Sequence, residues 1–281
     1  MIMAMQNNLM LLLPLSLGIS ASQAVIVGVE TFDTDGLIAD QTGGSGFNYD
    51  NLTGTVTGTT SDWDNVGGTP SVIGGALVTD GSSAKREYNG NIEGPDGSDG
   101  PDTERAGAAR GAGVVFYSVE INRSAGAFWS GISSYDFGGE RIFFGVPGAG
   151  GDTDTIGIDE SGVGNTLGTI SLTDGQTYTL VAVLDFDNDS LGLFVDPDGS
   201  TDFWNPTDGS NNADVTRAYS ATNWSTAARL GSGGEVTWDN LTIAIDDPTN
   251  VGLLASNPIP EPATALLGGL GLAVLLRRKR Q

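Results

Sequence analysis

The chain has 281 residues, 35 acidic against 12 basic, giving a formal net charge of −23 at pH 7, and it contains neither histidine nor cysteine. No disulfide, no Ser-His-Asp or Cys-His nucleophile, and no imidazole or thiolate ligand for zinc or copper can therefore exist in it. Its 43 glycines, with abundant Thr, Asp and Asn, argue against a helical bundle.

The chain opens with an apolar stretch, Leu9–Ile19, followed by Ser20-Ala21-Ser22-Gln23-Ala24. Small residues at Ser22 and Ala24 suit a signal-peptidase site, with a mature start near Val25. No Lys or Arg precedes the apolar stretch, so the α-amino group alone supplies the positive end. Residues 1–24 read as a helical signal peptide, with signal peptidase as a partner during export.

Residues 25–257 are long enough for one large domain with its own core. All 35 acids precede Ala263, as do only eight of the 12 bases, so the chain without its last residues carries −27. Such a surface repels nucleic acid and anionic lipid. It keeps a secreted protein soluble and can attract divalent cations.

Hydrophobic residues in this stretch recur with period two, which predicts strands. Val29–Phe32 is a first strand, and residues 41–71 hold short strands and ordered loops around Phe47, Tyr49 and Trp63. Gly75–Thr79 and Lys85–Tyr88 are brief strands, and Gly90–Gly113 is a polar loop. In Val114–Ile121, residues Val115, Tyr117, Val119 and Ile121 share one face. Ala127–Tyr135 and Arg141–Val146 form a hairpin through Asp136-Phe137-Gly138-Gly139. Thr153–Asp159 and Thr166–Leu172 follow. Thr177–Phe186 is apolar on both faces at its middle, which places it well inside a sheet. Asp187-Asn188-Asp189-Ser190 turns the chain into Leu191–Val195. Residues 200–234 read as irregular, plugged by Phe203, Trp204, Tyr219 and Trp224. In Glu235–Asp246 the apolar parity slips at Asp239-Asn240, which predicts a β-bulge. About a dozen antiparallel strands predict an all-β, two-sheet sandwich or jelly roll.

The chain closes with Asn257-Pro258-Ile259-Pro260-Glu261-Pro262, an apolar run Ala263–Leu276, and Arg277-Arg278-Lys279-Arg280. As a helix the run spans roughly 21 Å, short of a hydrocarbon core about 30 Å thick. It is a poor permanent anchor. The basic cluster would hold its end on the cytoplasmic side.

This ending resembles the PEP-CTERM sorting signal of Gram-negative bacteria, with Pro260, Glu261 and Pro262 at the naming tripeptide and Arg277, Arg278, Lys279 and Arg280 closing it. The resemblance implies processing by a membrane-embedded exosortase. It also implies transient holding at the inner membrane by the short transmembrane helix, then delivery to the cell surface or extracellular matrix.

The domain in turn resembles concanavalin A-like, laminin-G-like sandwiches of exported bacterial proteins. Glu30-Thr31-Phe32-Asp33, Trp129-Ser130-Gly131-Ile132-Ser133, Glu140-Arg141-Ile142-Phe143-Phe144-Gly145, Tyr178-Thr179-Leu180-Val181, Leu193-Phe194-Val195-Asp196-Pro197 and Val236-Thr237-Trp238-Asp239-Asn240-Leu241 carry that likeness in order. Glycosidases of this fold use a Glu pair on one strand, with acid and nucleophile about 5 Å apart. No two glutamates here lie within four residues of each other. Asp185 and Asp187 share a strand face but sit at a hairpin tip with no aromatic platform beside them. No catalytic residue is assigned and the protein is read as a non-enzyme.

Two ligand classes stay open. Asp185-x-Asp187-x-Asp189 copies the first three ligand positions of an EF-hand loop, and Asp196 falls at the twelfth. Ser190 stands where glycine is needed and the flanks are strands, so an EF-hand is rejected. A hairpin turn with solvated carboxylates is favoured over calcium. Laminin-G-like sandwiches often hold one Ca²⁺ at the sheet rim, which keeps a site at Asp185, Asp187 and Asp189 open; no cofactor is required. For carbohydrate, Trp204 and Trp224 in loop-like sequence are the candidate stacking residues, while Trp129 and Trp238 are placed in strands and assigned to the core.

The expected function is an exported surface or matrix protein that binds or organises extracellular polysaccharide. A purely structural surface protein is the rival, with a glycoside hydrolase or polysaccharide lyase behind it.

Overall fold

A computed structural model describes residues 25–41, 44–47, 49–50, 55–56, 63–87, 114–136, 139–185, 188–198, 201, 203, 213–219 and 227–245. The signal segment, the polar loop 90–113 and the tail 258–281 with its apolar helix lie outside them. Among the described residues, no helix is long and apolar enough to cross a membrane.

Nineteen strands are described. They are β1 Val25–Glu30, β2 Gly36–Leu37, β3 Ser45–Gly46, β4 Tyr49–Asp50, β5 Thr55–Val56, β6 Trp63–Gly67, β7 Ser71–Ile73, β8 Ala76–Thr79, β9 Ser83–Glu87 and β10 Val114–Arg123. Then come β11 Ser130–Asp136, β12 Gly139–Val146, β13 Thr155–Glu160, β14 Gly164–Ser171, β15 Thr177–Asp185, β16 Ser190–Val195, β17 Val215–Ala218, β18 Ala227–Ser232 and β19 Val236–Ile245.

Every pairing is antiparallel. One sheet has ten strands, in the order β17-β16-β15-β10-β19-β8-β7-β2, with β1 joining β19 and β3 joining β1. A second has seven, in the order β14-β13-β12-β11-β18-β9-β6, and β4 and β5 pair apart from both. The all-β, two-sheet antiparallel sandwich expected from the period-two pattern is present.

The main core lies between the sheets. Val115, Tyr117, Val119 and Ile121 of β10 face it together, as their alternation predicts, along with Leu180, Ala182 and Leu184 of β15. The seven-stranded sheet contributes Ile132, Ile142, Phe144, Ile158 and Leu230. A second cluster lies on the ten-stranded sheet's other face, where Phe203 and Ala213 pack with Val114, Phe116, Val181, Val183 and Phe194. The Phe203 and Phe194 rings meet edge-on at 5.0 Å. This second layer is why β15 is apolar on both faces.

Two expectations are corrected. Residues 200–234 are not wholly irregular, since they contain β17 and β18, and β18 sits between β11 and β9. Its Ala-Ala-Arg-Leu-Gly-Ser composition carries one large apolar residue, so its alternation is faint. Trp129 is not a core strand residue either. It precedes β11, half-buried, because Ser130 takes the inward position. Trp238 and Trp63 are buried as core. The expected bulge in β19 is present: Ser118 pairs with Thr242 and Glu120 with Asp239, so Val119 faces both Asn240 and Leu241.

Candidate functional site

Strand alternation divides the seven-stranded sheet into an inner and an outer face. With Ile132, Ile142 and Leu230 inward, the outward set includes Gly131, Ser133 and Tyr135 of β11, Phe143 and Gly145 of β12, Gly157 and Asp159 of β13, and Arg229 and Gly231 of β18. Four of these glycines stand in register. Gly131 pairs with Gly231 on one side and with Gly145 on the other, and Gly145 pairs with Gly157.

Glycine inside a strand marks a place where another group comes close to the backbone. Here the visitors are side chains. A Cβ on Gly131 would lie 2.4 Å from Phe143 Cζ, and one on Gly233 would lie 2.4 Å from Trp129 Cδ1. A Cβ on Gly231 would approach the Trp129 ring to 3.3 Å, and one on Gly157 would meet Leu167 and Pro147. The glycine row thus forms a floor against which Trp129, Phe143, Pro147 and Leu167 pack. Gly233 N donates to Trp129 O at 2.8 Å, which fixes the tryptophan's backbone.

Polar groups rim this floor. Arg229 Nη1 donates to Glu140 Oε2, and Ser133 Oγ donates to the same oxygen at 2.6 Å. The Arg229 guanidinium also lies 5.5 Å from the Trp129 ring centre and 5.9 Å from that of Tyr135. Trp129 and Phe143 meet edge-on at 6.3 Å. Trp129, Glu140, Phe143, Pro147, Asp159 and Arg229 line one open cleft of about 170 Å³. That is small beside the roughly 300–1,000 Å³ enclosing a drug-sized ligand. It is a shallow subsite with an aromatic wall, hydrogen-bond acceptors and one guanidinium.

None of the described residues singled out from sequence for calcium, Asp185 and Asp189, lines this cleft. Trp204, Trp224 and Asp187 are outside the described residues, as are Pro260, Glu261, Pro262, Arg277, Arg278, Lys279 and Arg280. Asp185 is only 2% exposed, so it is not a solvated carboxylate. Its Oδ1 accepts from Asn188 N at 2.9 Å and its Oδ2 from Asn188 Nδ2 at 2.8 Å, which pins the turn into β16. Asp189 is exposed in the left-handed region at φ 50°. Asp196 Oδ1 accepts from Thr179 N at 2.7 Å. Among the described residues, no three carboxylates gather in a way that could hold a metal ion.

Residues 258–281 match the family model described as the PEP-CTERM protein-sorting motif. The chain carries a PEP-CTERM sorting tail. A PEP-CTERM tail marks an exported, exosortase-sorted protein. No curated protein matches the sequence. Among solved structures, the PEP-CTERM chain is similar to domain 4 of AbnA, a GH43 extracellular arabinanase of Geobacillus stearothermophilus in complex with arabinotriose. Identity is 17%, the TM-score is 0.39, and 83% of this chain and 99% of that one are covered. It is similar to Trypanosoma rangeli sialidase in complex with 2,3-difluorosialic acid at 13% identity and TM-score 0.43, covering 82% of this chain and 32% of the sialidase. The CBM66 carbohydrate-binding module of Bacillus subtilis aligns at 8% identity and TM-score 0.32, over 66% and 92%. The chain spans 27% and 52% of the length of the first two solved structures it resembles. With TM-scores below 0.5, these remain similarities of general β-sandwich shape.

The cleft was not legible as a unit in the sequence because its residues belong to four separate segments. A signal for them was present: interior glycines at Gly131, Gly145, Gly157 and Gly231, next to Trp129 and Phe143.

Proposed function

We propose that this is a non-catalytic, exported surface or matrix protein of a Gram-negative bacterium that binds extracellular polysaccharide on the outer face of its seven-stranded sheet. The PEP-CTERM tail supports the destination, with an exosortase as processing partner and a transient stop at the inner membrane. The observation that carries the binding reading is the glycine row. It leaves room for Trp129 and Phe143 beside Glu140, Asp159 and Arg229. A sugar ring presents an apolar C–H face and a hydroxyl edge. An aromatic wall with acceptors and a donor at its rim suits both.

The non-catalytic reading rests on the sequence, in which no two glutamates lie within four residues of each other. The test is a glycan array probed with the full chain and with Trp129→Ala. Retention on at least one polysaccharide, lost in the variant with its melting temperature kept, is the expected result. Silence of the parent chain across neutral, acidic and amino glycans would leave the purely structural role. Turnover of any bound glycan would overturn the non-catalytic part alone.

A further inference from the structure

The cleft contains one group that its own surroundings leave unused. Asp159 sits on β13 opposite Phe143 of β12, half-buried, on the wall of the cleft. Among the described residues its carboxylate has no hydrogen-bond or ion-pair partner. Every other charged group lining the cleft is engaged, Glu140 with Arg229. The cleft therefore presents one net negative charge beside two aromatic rings set edge to face. That is the chemistry of ammonium recognition, in which a carboxylate gives a charge-assisted hydrogen bond and ring faces attract the cation.

The rest of the domain agrees. Lys85, Arg86, Arg123, Arg217 and Arg229 each lie in an ion pair, with Asp64, Glu30, Asp154, Glu160 and Glu140 respectively. Among the described residues, five of the eight bases that precede the tail are thus engaged, while residues 1–262 carry −27. At the cleft a polyanionic glycan would meet Asp159 and would have to break the Arg229–Glu140 pair to find a cation. A cationic one is steered inward.

On the polysaccharide-binding reading, we propose that the cleft selects a polymer containing amino sugars with free, protonated amines. The ammonium pairs with Asp159 and the ring rests against Trp129. A lysine side chain would share the ammonium but bring no sugar ring to pack against Trp129.

The experiment measures binding of the full chain to a de-N-acetylated glucosamine oligomer, its fully N-acetylated counterpart, a neutral glucan oligomer and an oligolysine. The deacetylated oligomer is expected to bind at least tenfold more tightly than the acetylated one, and to weaken severalfold as salt rises. Asp159→Asn should reduce it to the level of the acetylated form, and Trp129→Ala should remove both, with melting temperatures kept. Equal binding of the two oligomers, or no effect of Asp159→Asn, overturns the amine assignment and leaves the polysaccharide reading intact. Preference for the neutral glucan does the same. Silence toward all three glycans, with or without oligolysine binding, overturns both.

Discussion

Asp239 and Glu120 stand opposite each other across β19 and β10. Like charges in that relation weaken a sheet. Burial holds the Asp239 carboxyl above its ordinary value of 3.8; the charges of Glu120 and Asp33 push the same way, against the hydrogen bond from Asn240 N. The sign follows. A carboxyl whose value is raised on folding ionises less readily in the folded chain, so its charge subtracts stability at neutral pH. That loss fades as pH falls through the raised value toward 3.8. Asp239→Asn should therefore raise the melting temperature at pH 7 and lose its advantage at pH 3, because an amide oxygen still accepts from Asn240 N. Melting curves of both proteins across that range check it; a constant advantage would place the effect outside ionisation. The sequence indicated the bulge here through its parity slip, but not the charge pair. Pairing partners 119 residues apart leave no local trace.

At the scale of elements, the long apolar strands were readable and the glycine-rich ones were not. β10, β15 and β19 announce themselves because alternate large side chains must face one core. The hairpin from β11 to β12 was equally plain in its turn residues. β18 was hidden because its outward positions are Ala227, Arg229 and Gly231, the last leaving room for Trp129. The same substitution of glycine for side chain concealed the cleft. It predicts how the cleft fails. A Cβ on Gly131 would lie 2.3 Å from Phe144 O as well as 2.4 Å from Phe143 Cζ, one of them rigid backbone. Gly131→Ala should lower stability by about 1–3 kcal/mol, the usual cost of overpacking, and displace Phe143 from the floor. Denaturant unfolding reads the first effect. Near-UV circular dichroism of the coupled Trp129 and Phe143 rings reads the second. An unchanged spectrum with unchanged stability would show that the row has slack.

For the whole molecule, the question is what holds two sheets in one relative placement when apolar contacts alone tolerate sliding. Glu30 ends β1 in the ten-stranded sheet, and Arg86 and Trp63 lie on β9 and β6 of the seven-stranded sheet. Glu30 Oε2 accepts from Arg86 Nη1 at 2.5 Å and from Trp63 Nε1 at 3.2 Å, while its Oε1 accepts from Phe32 N at 3.0 Å. The Arg86 guanidinium also lies over the Phe47 ring at 3.9 Å. Thr79, Ser232 and Trp238 make a second polar bridge, with Trp238 Nε1 donating to Thr79 Oγ1 at 2.8 Å and the two hydroxyls 2.5 Å apart. Hydrogen bonds are directional and hydrophobic contact is not, so these bridges set which inner residues meet. Glu30→Ala removes an acceptor from three buried donors at once and should cost about 3–5 kcal/mol. Glu30→Gln keeps one acceptor oxygen and the shape, and should recover part of that loss. Joint replacement by Glu30→Leu and Arg86→Met should recover more, since apolar packing of equal volume avoids burying the pair. Urea unfolding of the four proteins decides it. A single-variant loss below about 1 kcal/mol, within the range of an exposed pair, would mean that apolar packing alone aligns the sheets.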